Sequence, residues 1–304
     1  EDCILSQYAF IDGSALAPTS FGEFDSDTPS IWKPIDISGL TFGTNGFFLD
    51  FADSSDLGKD VSGNGNHYTN NSMNALHQVQ DSCTNNFATM NGLDHGRGDS
   101  LVITNGGNDV ATGGTARGVV RSTIAVSSGK WYWEVNPDSA SGGNSYIGVS
   151  ANTNDYNRGA NDYLGARATD YGFYQDDGKV YTGTTGATYG SSYSNGNIIG
   201  VYLDLDNNKL YFSINGSLQN SGTGISVTDP ANTNEGAYFF CVGDDNAYAE
   251  RRFETNFGNP ISALSSAVSD DNGYGNFEYS PNITGDSVAK KFYAICTKNI
   301  AEYG

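Results

Sequence analysis

The residues best placed to do chemistry form an acidic, glycine-rich stretch near the start of the sequence. "DFADSSDLGKDVSGNGN" (50–66) holds several aspartates and asparagines, namely Asp50, Asp53, Asp56, Asp60, Asn64 and Asn66. Oxygen-rich loops of this kind can bind Ca²⁺, which takes carboxylate, amide and carbonyl ligands. The spacing, however, lacks the glycine and the closing glutamate of an EF-hand loop. We therefore favour Asx-turns that tie the loop to itself, and we predict no metal site.

Two pairs of adjacent acids, Asp176-Asp177 and Asp244-Asp245, are further candidates for acid–base chemistry. A glycosidase needs two carboxyl groups that flank the bond it cleaves. Here each pair precedes Gly or Asn, which is typical of solvated turns. The sequence contains neither G-x-S-x-G nor H-E-x-x-H, and no histidine stands beside a serine or cysteine in a catalytic frame. We predict no catalytic residue and no cofactor, with a glycan hydrolase as a remote alternative.

Two loops combine tyrosine with small polar residues. They are "NTNDYNRGANDYLGARATD" (152–170) and "TGTTGATYGSSYSNG" (182–196). Tyrosine offers a large surface and a hydroxyl at small entropic cost, and small polar residues adapt around it. Sugars can stack on such rings while amides and carboxylates bind their hydroxyls. We predict ligand-binding residues at Tyr156, Asp162, Tyr163, Tyr189 and Tyr193. We expect Tyr171, Tyr174 and Tyr181 to be half-buried strand residues instead.

The elements that must position these loops read as strands. From Gly118 to Phe257, short aromatic and β-branched runs alternate with Asn, Gly, Ser and Asp. In "KWYWEV" (130–135), Trp131 and Trp133 fall on the same face of one strand, so we expect both to be buried. No stretch shows a sustained helical stripe. The pattern predicts an all-β chain with antiparallel sheets.

The clearest local prediction is a β-hairpin in "NGNIIGVYLDLDNNKLYFSINGSLQN" (195–220). Apolar residues alternate with polar ones and tyrosines on both sides of Asn207-Asn208, which predicts one buried and one solvated face. Asn tolerates a positive φ, so we predict a two-residue turn at Asn207-Asn208.

The charge of the chain excludes some partners. It has 35 acidic and 15 basic residues, a net charge of −20. Such a surface repels phosphates and anionic lipids, so we expect neither nucleic acid nor a membrane as partner. The cysteines, Cys3, Cys83, Cys241 and Cys296, are widely spaced and are predicted to be thiols rather than disulfides. Because the sequence opens with Glu1 rather than Met, we expect a piece of a longer polypeptide.

Several phrases resemble, in order and spacing, the SPRY domain family: "SGKWYWEV" (128–135), "YIGVS" (146–150), "GNIIGVYLDLDNNKLYFSINGSLQ" (196–219) and "FETNFG" (253–258). The resemblance implies a jelly-roll-like, concanavalin-type sandwich of two antiparallel sheets. We expect this sandwich at residues 118–258. A turn-rich segment carrying the first strands would precede it at 1–117, and a polar insertion with a strand that packs back would follow at 259–304.

The flanking phrases "AFIDGSALAPTSFGEF", "IWKPIDISG" and "FYAICTKNIAEYG" resemble those around SPRY-like domains in structural proteins of tailed bacteriophages. This resemblance implies a virion protein, such as a tail fibre subunit, that contacts a host-surface glycan or protein receptor and other virion proteins. The alternative is a capsid- or tail-decorating subunit without a receptor. We expect a homo-oligomer, a trimer, with loops 152–170 and 182–196 facing outward.

Overall fold

The computed structural model describes residues 5–24, 29, 32–53, 55–73, 81, 85–96, 101–112, 118–138, 144–153, 163–245, 251–284 and 289–304. The chain divides into two compact units, Glu1–Asn86 and Phe87–Gly304. The strands between residues 90 and 112 belong to the sheets of the second unit. Across these described ranges, no helix has the length and apolar character needed to span a membrane.

The first unit contains short strands around a small core. Its described strands are β1 (Tyr8–Phe10), β2 (Gly22–Phe24), β3 (Trp32–Pro34) and β4 (Phe47–Leu49). β1 pairs with β4 and β2 with β3, both antiparallel. One core cluster here consists of the buried side chains Ile37, Phe42 and Phe48.

The second unit is a β-sandwich of two large sheets. Their strands have the following bounds: β5 Met90–Gly96, β6 Val102–Thr104, β7 Asp109–Thr112, β8 Val119–Val126, β9 Lys130–Pro137, β10 Ser145–Ser150, β11 Asp170–Tyr174, β12 Lys179–Thr182, β13 Thr185–Thr188, β14 Ile199–Asp204, β15 Lys209–Ile214, β16 Ser217–Leu218, β17 Ile225–Ser226, β18 Tyr238–Asp244, β19 Arg251–Asn256 and β24 Tyr293–Ala294. The first sheet has seven strands in the order β13-β12-β11-β10-β18-β8-β5. The second has nine, in the order β16-β15-β14-β9-β19-β7-β6, with β17 beside β15 and β24 beside β9. Strands along both orders pair antiparallel, whereas β24 joins β9 in parallel. The predicted all-β, antiparallel two-sheet fold is confirmed.

Two small ribbons follow β19: β20 (Val268–Ser269) with β21 (Asn276–Phe277), and β22 (Asn282–Ile283) with β23 (Lys290–Lys291). A short helix, α1 (Thr297–Tyr303), closes the chain.

The core between the two sheets is built around the tryptophans of β9. Trp131 and Trp133 are both fully buried on the same face, as predicted. The Trp133 ring stacks on Phe257 with centroids 5.0 Å apart and meets Phe240, on the first sheet, edge-on at 5.7 Å. Aromatic rings thus join the two sheets and bury large apolar areas where they meet.

The predicted hairpin is present, but the prediction of a two-residue turn is wrong. β14 and β15 pair from Ile199 opposite Ile214 to Asp204 opposite Lys209, so the connection has four residues, 205–208. The Asp204 carboxylate accepts hydrogen bonds from Asn207 N at 3.1 Å and from Asn207 Nδ2 at 2.9 Å. These hydrogen bonds hold Asn207 beside Asp204. β14 therefore ends two residues before the position that a two-residue turn at Asn207-Asn208 requires.

The prediction that one face of this hairpin is solvated is also wrong. Tyr202 of β14 and Tyr211 of β15 are buried, together with Tyr132 of β9. The chain after β19 returns over this outer face, so Phe277 and Phe292 pack on the tyrosine rings at 4.8 to 6.3 Å. The second sheet is therefore covered on both faces, which simple alternation could not indicate.

The cysteines that the structure describes agree with the sequence prediction. Cys241 and Cys296 are buried thiols. Burial raises the pKa of the Cys241 thiol well above its ordinary value, which keeps it protonated and unreactive. Cys3 and Cys83 lie outside the described residues.

Candidate recognition surface

The outer face of the first sheet carries a row of aromatic side chains. In β10, Ile147 and Val149 are part of the core between the sheets, so Tyr146 lies on the opposite face. Tyr146 is paired directly opposite Tyr174 of β11, and Gly172 of the same strand is paired with Tyr181 of β12. Strand pairing therefore gathers tyrosines from three neighbouring strands on one outer surface.

These residues form a compact cluster, which we call the tyrosine platform: Tyr146, Tyr163, Tyr174 and Tyr181. The buried Tyr146 is its centre, with Tyr174 stacked at 4.5 Å and Tyr163 at 5.0 Å between ring centroids. Tyr181 meets Tyr146 and Tyr174 edge-on at 5.9 and 5.7 Å. Tyr163, Tyr174 and Tyr181 are each only partly buried, so ring surface remains open to a ligand.

Glycines make room for the outer ring of the platform. A Cβ at Gly186 of β13 would lie 2.7 Å from Cζ of Tyr181, closer than real Cβ contacts come. Gly165 has φ +109°, and a Cβ there would lie 2.7 Å from Cβ of Tyr181. The Tyr181 ring thus occupies space that side chains at both positions would otherwise fill.

The hydroxyls at the rim of the platform are tied to acids and amides. Tyr181 OH donates to Asp177 Oδ2 at 2.9 Å, and Lys179 Nζ lies 2.8 Å from the same oxygen. Burial raises the pKa of Asp177, but the hydrogen bonds from Lys179 and Tyr181 outweigh it and leave that pKa below its usual value. Tyr174 OH donates to Asn144 Oδ1 at 2.8 Å. The rim therefore combines flat rings with fixed donors and acceptors.

The residues that the sequence predicts to bind a ligand lie in different parts of the structure. Tyr163 lies in the platform. Tyr189 and Tyr193 do not lie on an exposed loop, so their prediction as ligand-binding residues is wrong. Both rings pack on Phe173 in the core, at 6.0 and 5.2 Å, because the chain after β13 folds them under the sheet. Tyr193 OH lies within hydrogen-bond distance of two backbone carbonyls there.

Two predicted residues, Tyr156 and Asp162, lie outside the described residues. Sequence reasoning missed Tyr146, and it placed Tyr174 and Tyr181 as strand residues without a binding role. Their positions in the strands were available from alternation. These tyrosines come together because β12, β11 and β10 are neighbours in the sheet. The strand order depends on residues far apart in the sequence, so no local pattern encodes it.

The acidic loop at 50–66 is organised around a buried carboxylate. Asp60 accepts hydrogen bonds from the backbone N–H groups of Phe48, Ser62 and Asn66 at 2.8 to 2.9 Å. Burial raises the pKa of Asp60, but these donors outweigh it and lower the pKa to about 2. The predicted stitching of the loop to itself is present. Among the residues that the structure describes, no group of three or more His, Cys, Asp or Glu is placed to hold a metal ion.

Comparison with known proteins relates part of the sandwich to a known family. Residues 130–258 match the SPRY domain family. SPRY domains are generally non-enzymatic interaction modules. The dual specificity protein kinase splA of Dictyostelium discoideum is 33% identical over 102 residues, which are 33% of this chain and 4% of the kinase. The chain thus spans a small part of that relative's length.

Solved structures similar to this chain include the SPRY domain of human HERC1, with 17% identity and a TM-score of 0.42 over 55% of this chain and 96% of that one. A second human SPRY domain has 18% identity and a TM-score of 0.39 over 54% of this chain and 96% of that one. Stonustoxin has 16% identity and a TM-score of 0.40 over 56% of this chain and 27% of the toxin.

Proposed function

We propose that this chain is a non-enzymatic recognition module that binds its partner through the tyrosine platform. The observation that carries the proposal is the set of partly exposed rings at Tyr163, Tyr174 and Tyr181, stacked on a buried centre and bordered by fixed polar groups. Rigid aromatic surface with oriented hydrogen-bonding groups binds ligands at low entropic cost. The partner class that fits best is a glycan, whose sugar rings have an apolar face and a polar edge.

The setting we propose is the virion of a tailed bacteriophage, where the chain would be a tail fibre or appendage subunit reading a host-surface receptor. This part of the proposal is supported by the flanking sequence phrases alone. Working as a trimer would let several weak sites act together through effective concentration. A decorating subunit without a receptor is the alternative. The position and copy number of the chain on the particle distinguish the two roles.

A glycan array probed with the purified chain tests the binding role. We expect binding by the wild type and its loss in Tyr181→Ala and in Tyr163→Ala, each of which removes a partly exposed ring. Tyr68→Ala is the matched control, because Tyr68 is a half-exposed tyrosine in the other unit. Binding that survives both platform substitutions would overturn the site.

Incubating the chain with any glycan that binds, followed by mass spectrometry of that glycan, tests the absence of catalysis. An intact glycan fits a binder, whereas a shortened one would restore the hydrolase alternative. Sedimentation velocity then tests the trimer.

A further inference from the structure

A cavity of about 340 Å³ opens on the outer face of the second sheet, on the opposite side of the sandwich from the tyrosine platform. Its floor is formed by β9 and β19, and its wall by residues 260–264 and 278–279. The volume is at the lower end of the range of small-molecule sites. The proposed recognition function makes no use of this cavity.

The floor is built from the same triplet, E-x-N, on two neighbouring strands. β9 contributes Glu134 and Asn136, and β19 contributes Glu254 and Asn256. Because the strands run antiparallel, each glutamate is paired opposite the asparagine of the other strand. Asn256 Nδ2 donates to Glu134 Oε2 at 3.3 Å, and Asn136 Nδ2 donates to Glu254 Oε2 at 3.4 Å. Both carboxylates are thus held by an amide from across the ladder.

The ionisable side chains that line the cavity include acids but no bases. Its lining residues are all in the described part of the chain, and they include Glu134, Glu254 and Glu278 but no Lys, Arg or His. Because burial favours the protonated form of Glu134, the negative charge of the cavity rests on Glu254 and Glu278, and a bound cation would relieve their repulsion. The described acids form no group that could hold a metal ion. An organic cation does not require such a group, because it can pair with a single carboxylate.

The glutamates differ in how much acceptor capacity they have left. Glu134 is saturated, since its two oxygens accept hydrogen bonds from Tyr132, Asn256 and two backbone N–H groups. Glu278 accepts from both the backbone and the hydroxyl of Ser265. From the residues that the structure describes, Glu254 accepts two long bonds, of 3.3 and 3.4 Å, from Ser262 Oγ and Asn136 Nδ2. Glu254 is thus the carboxylate best able to bind a charged ligand.

Part of the wall is apolar and is formed by Ile198, Pro260, Ile261 and Leu264, beside the polar residues Asn215 and Ser262. An apolar wall facing a carboxylate matches a molecule with a charged head and a short hydrocarbon stem. We propose that this cavity binds a small organic ammonium ion, with its head at Glu254 and its stem against Ile261 and Leu264. A neutral alcohol of the same length would gain the apolar contact but not the charge–charge attraction.

Titration of the full chain with n-butylammonium chloride, followed by NMR chemical shifts, tests the proposal, with n-butanol as the neutral probe. A ligand of about five non-hydrogen atoms should bind with a dissociation constant on the order of millimolar. We expect saturable shifts at the cavity residues for n-butylammonium and far weaker ones for n-butanol. Equal shifts with both probes would overturn the charged site.

Two variants locate the site. Glu254→Gln should weaken n-butylammonium binding roughly tenfold or more, because one charge-assisted hydrogen bond is lost. Leu264→Trp keeps every carboxylate, fills the cavity from its exposed wall and should abolish binding. Glu302→Gln, on the exposed face of α1, is the matched control for general attraction to an acidic chain. Unchanged binding in Leu264→Trp, or an equal loss in Glu302→Gln, would refute the cavity as the site.

Discussion

Glu134 of β9 accepts a hydrogen bond from the backbone N–H of Tyr279 at 2.8 Å, which fastens the returning chain to the middle of the second sheet. The neighbouring Glu278 N–H donates to the other oxygen of the same carboxylate, also at 2.8 Å. One buried side chain therefore joins a central strand to a segment more than a hundred residues later. The Glu134 carboxylate is thus the anchor of the segment that covers Tyr132, Tyr202 and Tyr211.

Removing the anchor should destabilise the second unit strongly. Glu134→Ala leaves two backbone N–H groups and the Tyr132 hydroxyl without their acceptor, so we expect a loss of about 3–5 kcal/mol in the free energy of unfolding. Urea denaturation measures this change. Glu278→Ala is the matched control, since its carboxylate bonds only to the Ser265 region, and it should cost about 1 kcal/mol. Equal effects of the two substitutions would contradict the anchoring role.

The same residue should make stability depend on pH. Burial raises the pKa of Glu134 to about 7 from 4.5, although the donors around it act in the opposite direction. The folded protein then keeps a proton that the unfolded chain releases. The resulting stability is fully present below pH 4.5 and is lost as the pH rises through about 7. Relative to Glu134→Gln, the wild type should lose about 2 kcal/mol of unfolding free energy between about pH 5 and 8. Parallel pH profiles for the two proteins would argue against this titration.

The tryptophans of β9 should matter far more than the tryptophan of the first unit. Trp133 is fully buried between Phe257 and Phe240, so Trp133→Ala should lower the free energy of unfolding by about 3–5 kcal/mol. Trp131→Ala should act similarly. Trp32→Ala removes a side chain that is 43% exposed and should leave the melting of the sandwich in the second unit unchanged. Thermal melts of the three variants decide the matter, and an unshifted melt for Trp133→Ala would count against the packing described.

The thiols give an independent check on the fold. Cys241 and Cys296 should resist a thiol reagent in the native protein, because both are buried and the pKa of Cys241 is raised by burial. Peptide mass spectrometry after brief labelling reads each site separately. In denaturant without a reducing agent, all four cysteines should react, as the prediction of thiols throughout the chain requires. Fewer than four labelled sites would indicate a disulfide.

The sequence predicts what depends on neighbouring residues and misses what depends on distant ones. Alternation in "KWYWEV" correctly placed Trp131 and Trp133 in the core, and the hairpin strands were equally legible. The turn between those strands was mispredicted because the side chain of Asp204 captures Asn207, a competition that propensity alone does not reveal. Local pattern recognition therefore gives the strands more reliably than their connections.

The residues of the candidate site were harder to predict from the sequence than the strands were. Tyr189 and Tyr193 stand among Gly, Ser and Asn, as exposed paratope residues do, yet their rings are part of the core. Tyr163 has similar neighbours in the sequence and lies in the platform. The difference arises from which side of the first sheet each of these three rings lies on, and that follows from the tertiary fold alone. The platform could be found only once the strand order was known.

The paired E-x-N triplets of β9 and β19 have a consequence for how the chain folds. Hydrophobic alternation penalises a slip of one residue between two strands, because every side chain would change faces. A slip of two residues keeps the faces and escapes that penalty. In this pair, moving β19 by two residues would set Glu254 directly against Glu134 in place of Asn256. Like charges opposite each other are destabilising, so the glutamate and asparagine positions select the native register among alignments that the apolar residues cannot tell apart.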